Sequence, residues 1–342
     1  MSATLTARLR PSIHPTYAHI LCAWLRQQGH DTESIFRGTR LSWQQLLEDN
    51  RFISLEQMAR LVRRGIALTG MPWLGLDVGQ ATQTSSHGPV GYAAIAAPDV
   101  RTMLQVITDY APLRLQVLDY SYTATADGCE LGAREALDLG DAREYVFCAN
   151  ATVLFLLVMA TTGESLRGIP VQFPFPEPPW SEHYRACFGD NVRFDGDSYR
   201  VRVPARILAL PNMTADPAAH QQSLRDCQRQ MKQLQAGGAL TQQIRFYLLD
   251  HEGQYPTLEA MAEHLGMSRR TLIRHLKQEG ASYQELLDDV RKELAVWYLE
   301  NTALPVEQVA EVLGYQDTSN FSRTFRRWFA TTPRALRNGQ GV

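Results

Sequence analysis

The chain has 342 residues, of which 44% are hydrophobic and 20% charged, with a formal net charge of −2. This is globular composition with length enough for two cores, and the near-neutral balance excludes a uniformly basic protein. Cys22, Cys129, Cys148, Cys187 and Cys227 are scattered and never in a Cys-x-x-Cys arrangement, which argues against a zinc site or a disulfide framework and fits a reducing cytoplasm.

Met1 to Pro15 lacks the apolar stretch of a secretory signal, so a cytoplasmic protein is expected. Pro15 to Gly79 reads as mostly helical. Ile20, Leu21, Trp24 and Leu25 form an apolar stripe ending at Gly29; Ser42 caps a segment with Trp43, Leu46 and Leu47; Ser54 opens another with Met58, Leu61, Val62 and Ile66 inside. A glycine-containing loop is expected over Ser85 to Gly91, then a helix from Val100 to Tyr110 capped by Asp99. Leu113 to Thr123 alternates apolar and polar residues, Asp127-Gly128 is a hairpin turn, and Cys129 to Arg134 returns. A long helix from Asp141 to Thr162 contains the greasiest segment, Val153 to Ala160, which is too short to span a bilayer and reads as a core helix. Strands are expected at Ile169–Phe173, Val192–Phe194 and Tyr199–Val203, with Asp195-Gly196 turning the last pair, and Pro174–Pro179 reads as a rigid loop over the core.

Pro217 to Leu234, bounded by Gly237-Gly238, is expected to be a helix joining two halves. The domains are therefore placed at 1–214 and 239–342, with a linker helix at 215–238. The first half is expected to be α+β and the second all-α, with about seven helices. In the second half one pattern appears twice. Leu258, Met261, Ala262, Leu265 and Gly266 recur 48 positions later as Val306, Val309, Ala310, Leu313 and Gly314. Leu272, Arg274, Leu276 and Lys277 match Phe321, Arg323, Phe325 and Arg326 at a separation of 49. Two helix-turn-helix motifs, 258–278 and 306–328, follow, joined by a long helix from Tyr283 to Glu300 that spans about 25 Å at 1.5 Å per residue.

A helix-turn-helix sets its second helix in the major groove of double-stranded DNA. From Gly237 onward there are 12 Lys+Arg against 13 Asp+Glu, so net charge does not mark this half as a DNA binder; its distribution does. Ser268–Gln278 and Thr318–Phe329 contain basic residues and no acid, whereas Glu259, Glu263, Glu307 and Glu311 lie on the preceding helices. Ser268 is expected to cap the first reading helix and Asp317 or Thr318 the second. Arg270, Arg274, Asn320 and Arg323 are assigned to base edges, and Arg269, Lys277, Arg326 and Arg327 to phosphates; Thr271 and Ser319 share the outward faces.

The stretch Gly314-Tyr315-Gln316-Asp317-Thr318-Ser319-Asn320-Phe321-Ser322-Arg323-Thr324-Phe325-Arg326-Arg327-Trp328-Phe329, followed by Thr332-Pro333 and Arg337, resembles the second motif of the AraC/XylS family of bacterial transcription regulators. Gln316 stands where serine is common. The resemblance implies two recognition helices in successive major grooves, with Arg274 and Arg323 at base-reading positions, and dimerisation through the N-terminal half. Gly91-Tyr92-Ala93-Ala94-Ile95-Ala96, the helix up to Asp109-Tyr110, and Phe188-Gly189 resemble the branch with an arabinose-binding-type sensor, found in regulators of amino-acid catabolism such as ornithine utilisation. That implies a small-molecule effector.

No Gly-x-Gly-x-x-Gly, His-Glu-x-x-His or Gly-x-Ser-x-Gly is present, and His87, His183 and His251 are isolated in sequence, so neither an enzyme, a cofactor nor a metal is expected. For an effector pocket, Tyr92, Tyr120, Tyr122, Tyr145 and Phe147 are candidate walls and Arg114 and Arg143 candidate carboxylate partners; each is equally able to be plain core or surface. The expected protein is a transcription activator or other regulator, homodimeric, that meets RNA polymerase and an amino-acid, fatty-acid or related effector. The alternative is an effector-independent DNA binder whose N-terminal half serves only dimerisation or protein interaction.

Overall fold

The structure, a computed structural model, describes residues 7–39, 41–48, 52–235 and 240–338. It divides into two compact units, Pro11–Lys232 and Gln233–Val342, the second also taking in the start of the chain up to Arg10. The expected order holds: an α+β unit followed by a helical one. Gly237-Gly238, expected to bound the linker helix, lie outside the described residues.

In the first unit, strands β1 (Pro11–Ile13) and β2 (Ile53–Ser54) form a small antiparallel pair. Strands β3 (Leu118–Thr125), β4 (Gly128–Glu135), β5 (Val171–Gln172), β6 (Val192–Arg193) and β7 (Tyr199–Pro204) form a sheet in the order β3-β4-β7-β5-β6. The predicted β3–β4 hairpin is present with Thr125 opposite Gly128. Asp195-Gly196 does not join neighbours, however: β5 lies between β6 and β7, antiparallel to β7 and parallel to β6. A two-residue turn signal is local and cannot reveal a strand inserted from earlier in the chain.

Two other segments also differ from expectation. Leu113–Val117 alternates because Leu113, Leu115 and Val117 are buried, yet this stretch bridges Ile13 instead of joining the sheet. Ser85–Gly91 is not a loop but a 3-10 turn, Thr84–His87, leading into a helix at Gly88–Ile95 with Pro89 in its first turn. Ser54 and Asp99 cap their helices as expected, accepting from the Gln57 and Thr102 amides at 3.2 and 2.8 Å.

The greasy helix runs from Arg143 to Thr162 and is long and apolar enough to cross a membrane, but 61% of its apolar window is buried inside the unit. Helix Leu74–Ala81 lies against it through two glycines. A Cβ on Gly75 would meet the Tyr145 carbonyl oxygen at 2.6 Å, and one on Gly79 would meet Thr152 Cβ at 2.7 Å. The last helix, Pro217–Gln235, is tied down where His220 Nδ1 meets the Ala93 carbonyl at 2.7 Å.

The second unit contains seven helices among the described residues: Leu240–Asp250, Leu258–His264, Arg269–Gln278, Tyr283–Asn301, Val306–Val312, Thr318–Phe329 and Pro333–Arg337. Its core gathers Leu248, Met261, Leu272, Leu276, Val290, Leu294, Val309, Phe321 and Phe325. Leu9, from the start of the chain, is buried in the same core, and the adjacent Arg10 pairs with Asp250 at 2.5 Å.

Because helix Leu74–Ala81 depends on glycine for its approach, Gly75→Ala should cost about 1–3 kcal/mol through overpacking. Urea unfolding followed by circular dichroism measures this; a change within error would show that the helices separate freely.

Candidate nucleic-acid interface and sensor cleft

Both second helices of the repeated motif start on a side-chain cap. Ser268 Oγ accepts from the Thr271 amide at 3.2 Å and also meets Thr271 Oγ1 at 2.9 Å, so these two hydroxyls are engaged with each other. Asp317 Oδ1 accepts from the Asn320 amide at 2.6 Å, which decides the cap in favour of Asp317 over Thr318. Leu272 and Leu276, and in the second copy Phe321 and Phe325, are buried. That orientation sends the i+1 and i+2 positions outward.

Arg269, Arg270, Arg274 and Lys277 are exposed on the first helix, as are Ser319, Asn320, Arg323, Arg326 and Arg327 on the second; Thr271 and Thr318 are half-buried. Arg269 reaches Glu259 at 3.0 Å and Arg327 lies 3.9 Å from Asp288. Among the described residues, no carboxylate lies within salt-bridge distance of Arg270, Arg274, Lys277, Arg323 or Arg326. Ser322, which the sequence reading passed over, lines a shallow hollow with Thr318, Ser319, Arg323 and Arg326. Arg337 serves the scaffold instead, donating to the Leu299 carbonyl at 3.4 Å.

In the first unit, a cleft with about 510 Å³ of free space, open at its mouth, is lined by Ile13, Tyr17, Ile20, Met58, Val78, Thr82, His87, Leu115, Tyr145, Val146, Ala149, Asn150 and Val153. It is narrow: only about 40 Å³ is wide enough for water. One end of it is polar. The Tyr17 hydroxyl meets His87 Nδ1 at 3.1 Å, and the Arg114 guanidinium lies 6.0 Å from the Tyr17 ring centre while donating to the Ser86 carbonyl at 2.8 Å. His87 was isolated only in sequence; the fold sets it against Tyr17, with Arg114 and His14 beside it. His183 and His251 likewise stack on Trp73 and Tyr247, at 3.9 and 3.8 Å.

A family model described as the arabinose-binding domain of AraC transcription regulators matches residues 29–212, and a helix-turn-helix model matches residues 261–339. The chain is 32% identical over 330 residues, 96% of each protein, to the ornithine utilization regulator of Pseudomonas aeruginosa. The chain belongs to the AraC family of transcription regulators. The regulator VqsM of the same organism is 28% identical, over 77% of this chain and 83% of that one. The solved structure of the regulator CdpR from Pseudomonas aeruginosa is 25% identical over 94% of this chain and 98% of that one, with a TM-score of 0.47. As an AraC-family member, the protein couples a helix-turn-helix DNA-binding domain to an N-terminal ligand-binding domain.

The seven effector-site candidates fall in different places in that ligand-binding domain. Arg114 is buried and stands behind the polar end of the cleft, and Tyr145 lines the cleft. Tyr120 reaches the lining through Asn150, donating to its Oδ1 at 2.8 Å. Phe147 is fully in the core against Tyr199, and Tyr122 is half-buried on β3, accepting from Arg101 at 3.4 Å. Tyr92 points to solvent, 51% exposed. Arg143 is taken up by Glu135 and by Asp138 at 3.2 Å. Tyr17, His14 and His87 had no sequence signal, since nothing in their spacing joins them to Arg114.

Burial, reinforced by the Arg114 charge, lowers His14 to about 3 and His87 to about 4. Both imidazoles are therefore neutral in the folded unit at neutral pH, while in the unfolded chain they gain protons near 6.5. Between those values the unfolded state binds more protons, so stability is complete above about 6.5 and is lost as the pH falls toward about 4. The melting temperature should drop between about pH 7 and 5, and a His14→Asn/His87→Asn variant should show a shallower drop. Parallel curves for the two proteins would refute this assignment.

Proposed function

We propose that this protein is a sequence-specific regulator, controlled by a small-molecule effector, whose two recognition helices read successive major grooves of one DNA duplex. The observation that carries the reading is the pair of acid-free basic faces held outward in matching register by Leu272/Leu276 and Phe321/Phe325. Arg270, Arg274, Asn320 and Arg323 read base edges, where a bidentate arginine–guanine or asparagine–adenine pair is worth about 1–3 kcal/mol of discrimination. Arg269, Lys277, Arg326 and Arg327 hold phosphates, for which Arg269 and Arg327 exchange their contacts with Glu259 and Asp288. Because the two heads differ in sequence, each monomer reads an asymmetric site of roughly two helical turns. The protein works as a cytoplasmic homodimer that engages RNA polymerase, and effector occupancy of the N-terminal domain sets its affinity for DNA.

The division of roles has separable consequences. Arg323→Ala should cost about 1–3 kcal/mol on the specific site and relax preference at one base pair. Arg326→Ala should weaken specific and random DNA alike and lower the salt slope by about one. Fluorescence-anisotropy titrations across salt concentrations measure both, and identical behaviour of the two variants would reject the assignment.

A further inference from the structure

Arg114 is an uncompensated charge. It is only 8% exposed, and among the described residues no carboxylate lies within salt-bridge distance of it, whereas the more exposed Arg143, Arg185 and Arg200 all have one. Its polar neighbours are the Ser86 carbonyl, Tyr17 and His87. The Tyr17 hydroxyl meets His87 Nδ1 at 3.1 Å, and the Arg114 guanidinium lies 6.0 Å from the Tyr17 ring centre. His87 Nε2 and Arg114 Nε are both buried without a hydrogen-bond partner, and the Arg114 Nε–H is always a donor. The polar end of the cleft thus has a positive charge and an unused Arg114 donor behind it, with the unpartnered His87 Nε2 beside them. An unpaired charge and unmet donors are costly to bury, so an anionic acceptor fits here better than any neutral group.

The remainder of the cleft sets the second requirement. Ile13, Ile20, Met58, Val78, Val146 and Val153 supply an apolar wall, and the lining contains no Asp or Glu. An ammonium group entering beside Arg114 would lose its hydration, find no counter-charge and meet a like charge.

We infer that this cleft binds a small monocarboxylate with an uncharged, mostly apolar body, its carboxylate on Arg114 and His87 and its body against Met58 and the valines. Diamino acids such as ornithine are excluded, although a relative carries ornithine utilization in its name. Because the cleft is narrow, the ligand enters as flexible side chains such as Met58 give way.

The inference rests on the effector-controlled reading given above and narrows its ligand. The test is calorimetric titration of the purified full-length protein with hexanoate, hexanamide, hexylamine and L-ornithine, and of Arg114→Met with hexanoate. Hexanoate should bind at least about tenfold tighter than the other three, and Arg114→Met should lose at least about tenfold in affinity for it. The hexanamide comparison uses wild-type protein and stands even if the variant does not fold. Failure of hexanoate to bind, equal binding of hexanamide, or tighter binding of hexylamine or L-ornithine overturns the inference. Gel-shift measurement on the same samples separates the two levels: tight L-ornithine binding that alters DNA affinity would sink the carboxylate class and leave effector control standing, while loss of any ligand effect on DNA would sink effector control itself.

Discussion

The helical unit is organised around one cation. The Arg291 guanidinium, on the spacer helix Tyr283–Asn301, lies 4.9 Å from the ring centre of Tyr255 and 4.9 Å from that of Tyr315. Tyr255 precedes the first helix-turn-helix and Tyr315 sits in the turn of the second. A single side chain therefore fastens both heads to the same strut, at about 0.5–2 kcal/mol per cation–π contact. Two residues further on, Glu293 pairs with Arg245 where both side chains are largely shielded from solvent, at 15% and 17% exposure. The contacts of Arg291 and Glu293 tie the spacer to Tyr255, to Tyr315 and to helix Leu240–Asp250. The apolar stripe behind each helix does the rest, because Phe321 and Phe325 cannot be buried without turning Arg323 and Arg327 outward.

The sensor unit handles charge in a different way. Several of its arginines are neutralised where they stand: Arg63 by Asp141 at 2.7 Å, Arg185 by Glu177 at 2.6 Å, Arg202 by Glu130 at 3.1 Å. These are surface pairs of small individual worth. Arg114 is the buried exception, held by a backbone carbonyl near the Tyr17 ring, with two histidines that burial keeps neutral. Family membership passes on the architecture of a ligand-binding domain, but ligand chemistry depends on which charges a particular cleft contains. At 32% identity to the ornithine utilization regulator, family membership carries across while the charge pattern has to be read from this chain.

The parts of the fold that were legible beforehand rest on contacts between residues close in sequence. Ser54, Asp99 and Ser268 could each be recognised as caps, and Asp317 narrowed to one of two, because the bond they make spans three residues. The β3–β4 hairpin was readable for the same reason. The duplicated motif was readable because burying one helix face imposes a period, and the basic residues stand out against it. Where the strand reading failed, the cause was distant in sequence: β5 inserted beside β7, and Leu115 bridged to Ile13.

The cleft marks the same division most clearly. Arg114 could be nominated from its chemistry alone, but Arg143 had an equal claim, and only the folded arrangement separates an arginine already satisfied by Glu135 from one with no acid in reach. Sequence alone determined the class of protein, its repeated helix-turn-helix pattern and the outward residues of the second helices, since these follow from helical periodicity and local capping. Tertiary structure decided which polar groups share the sensor cleft, because Tyr17, His87 and Arg114 lie 70 and 27 positions apart along the chain and are brought together only by packing of the core between them.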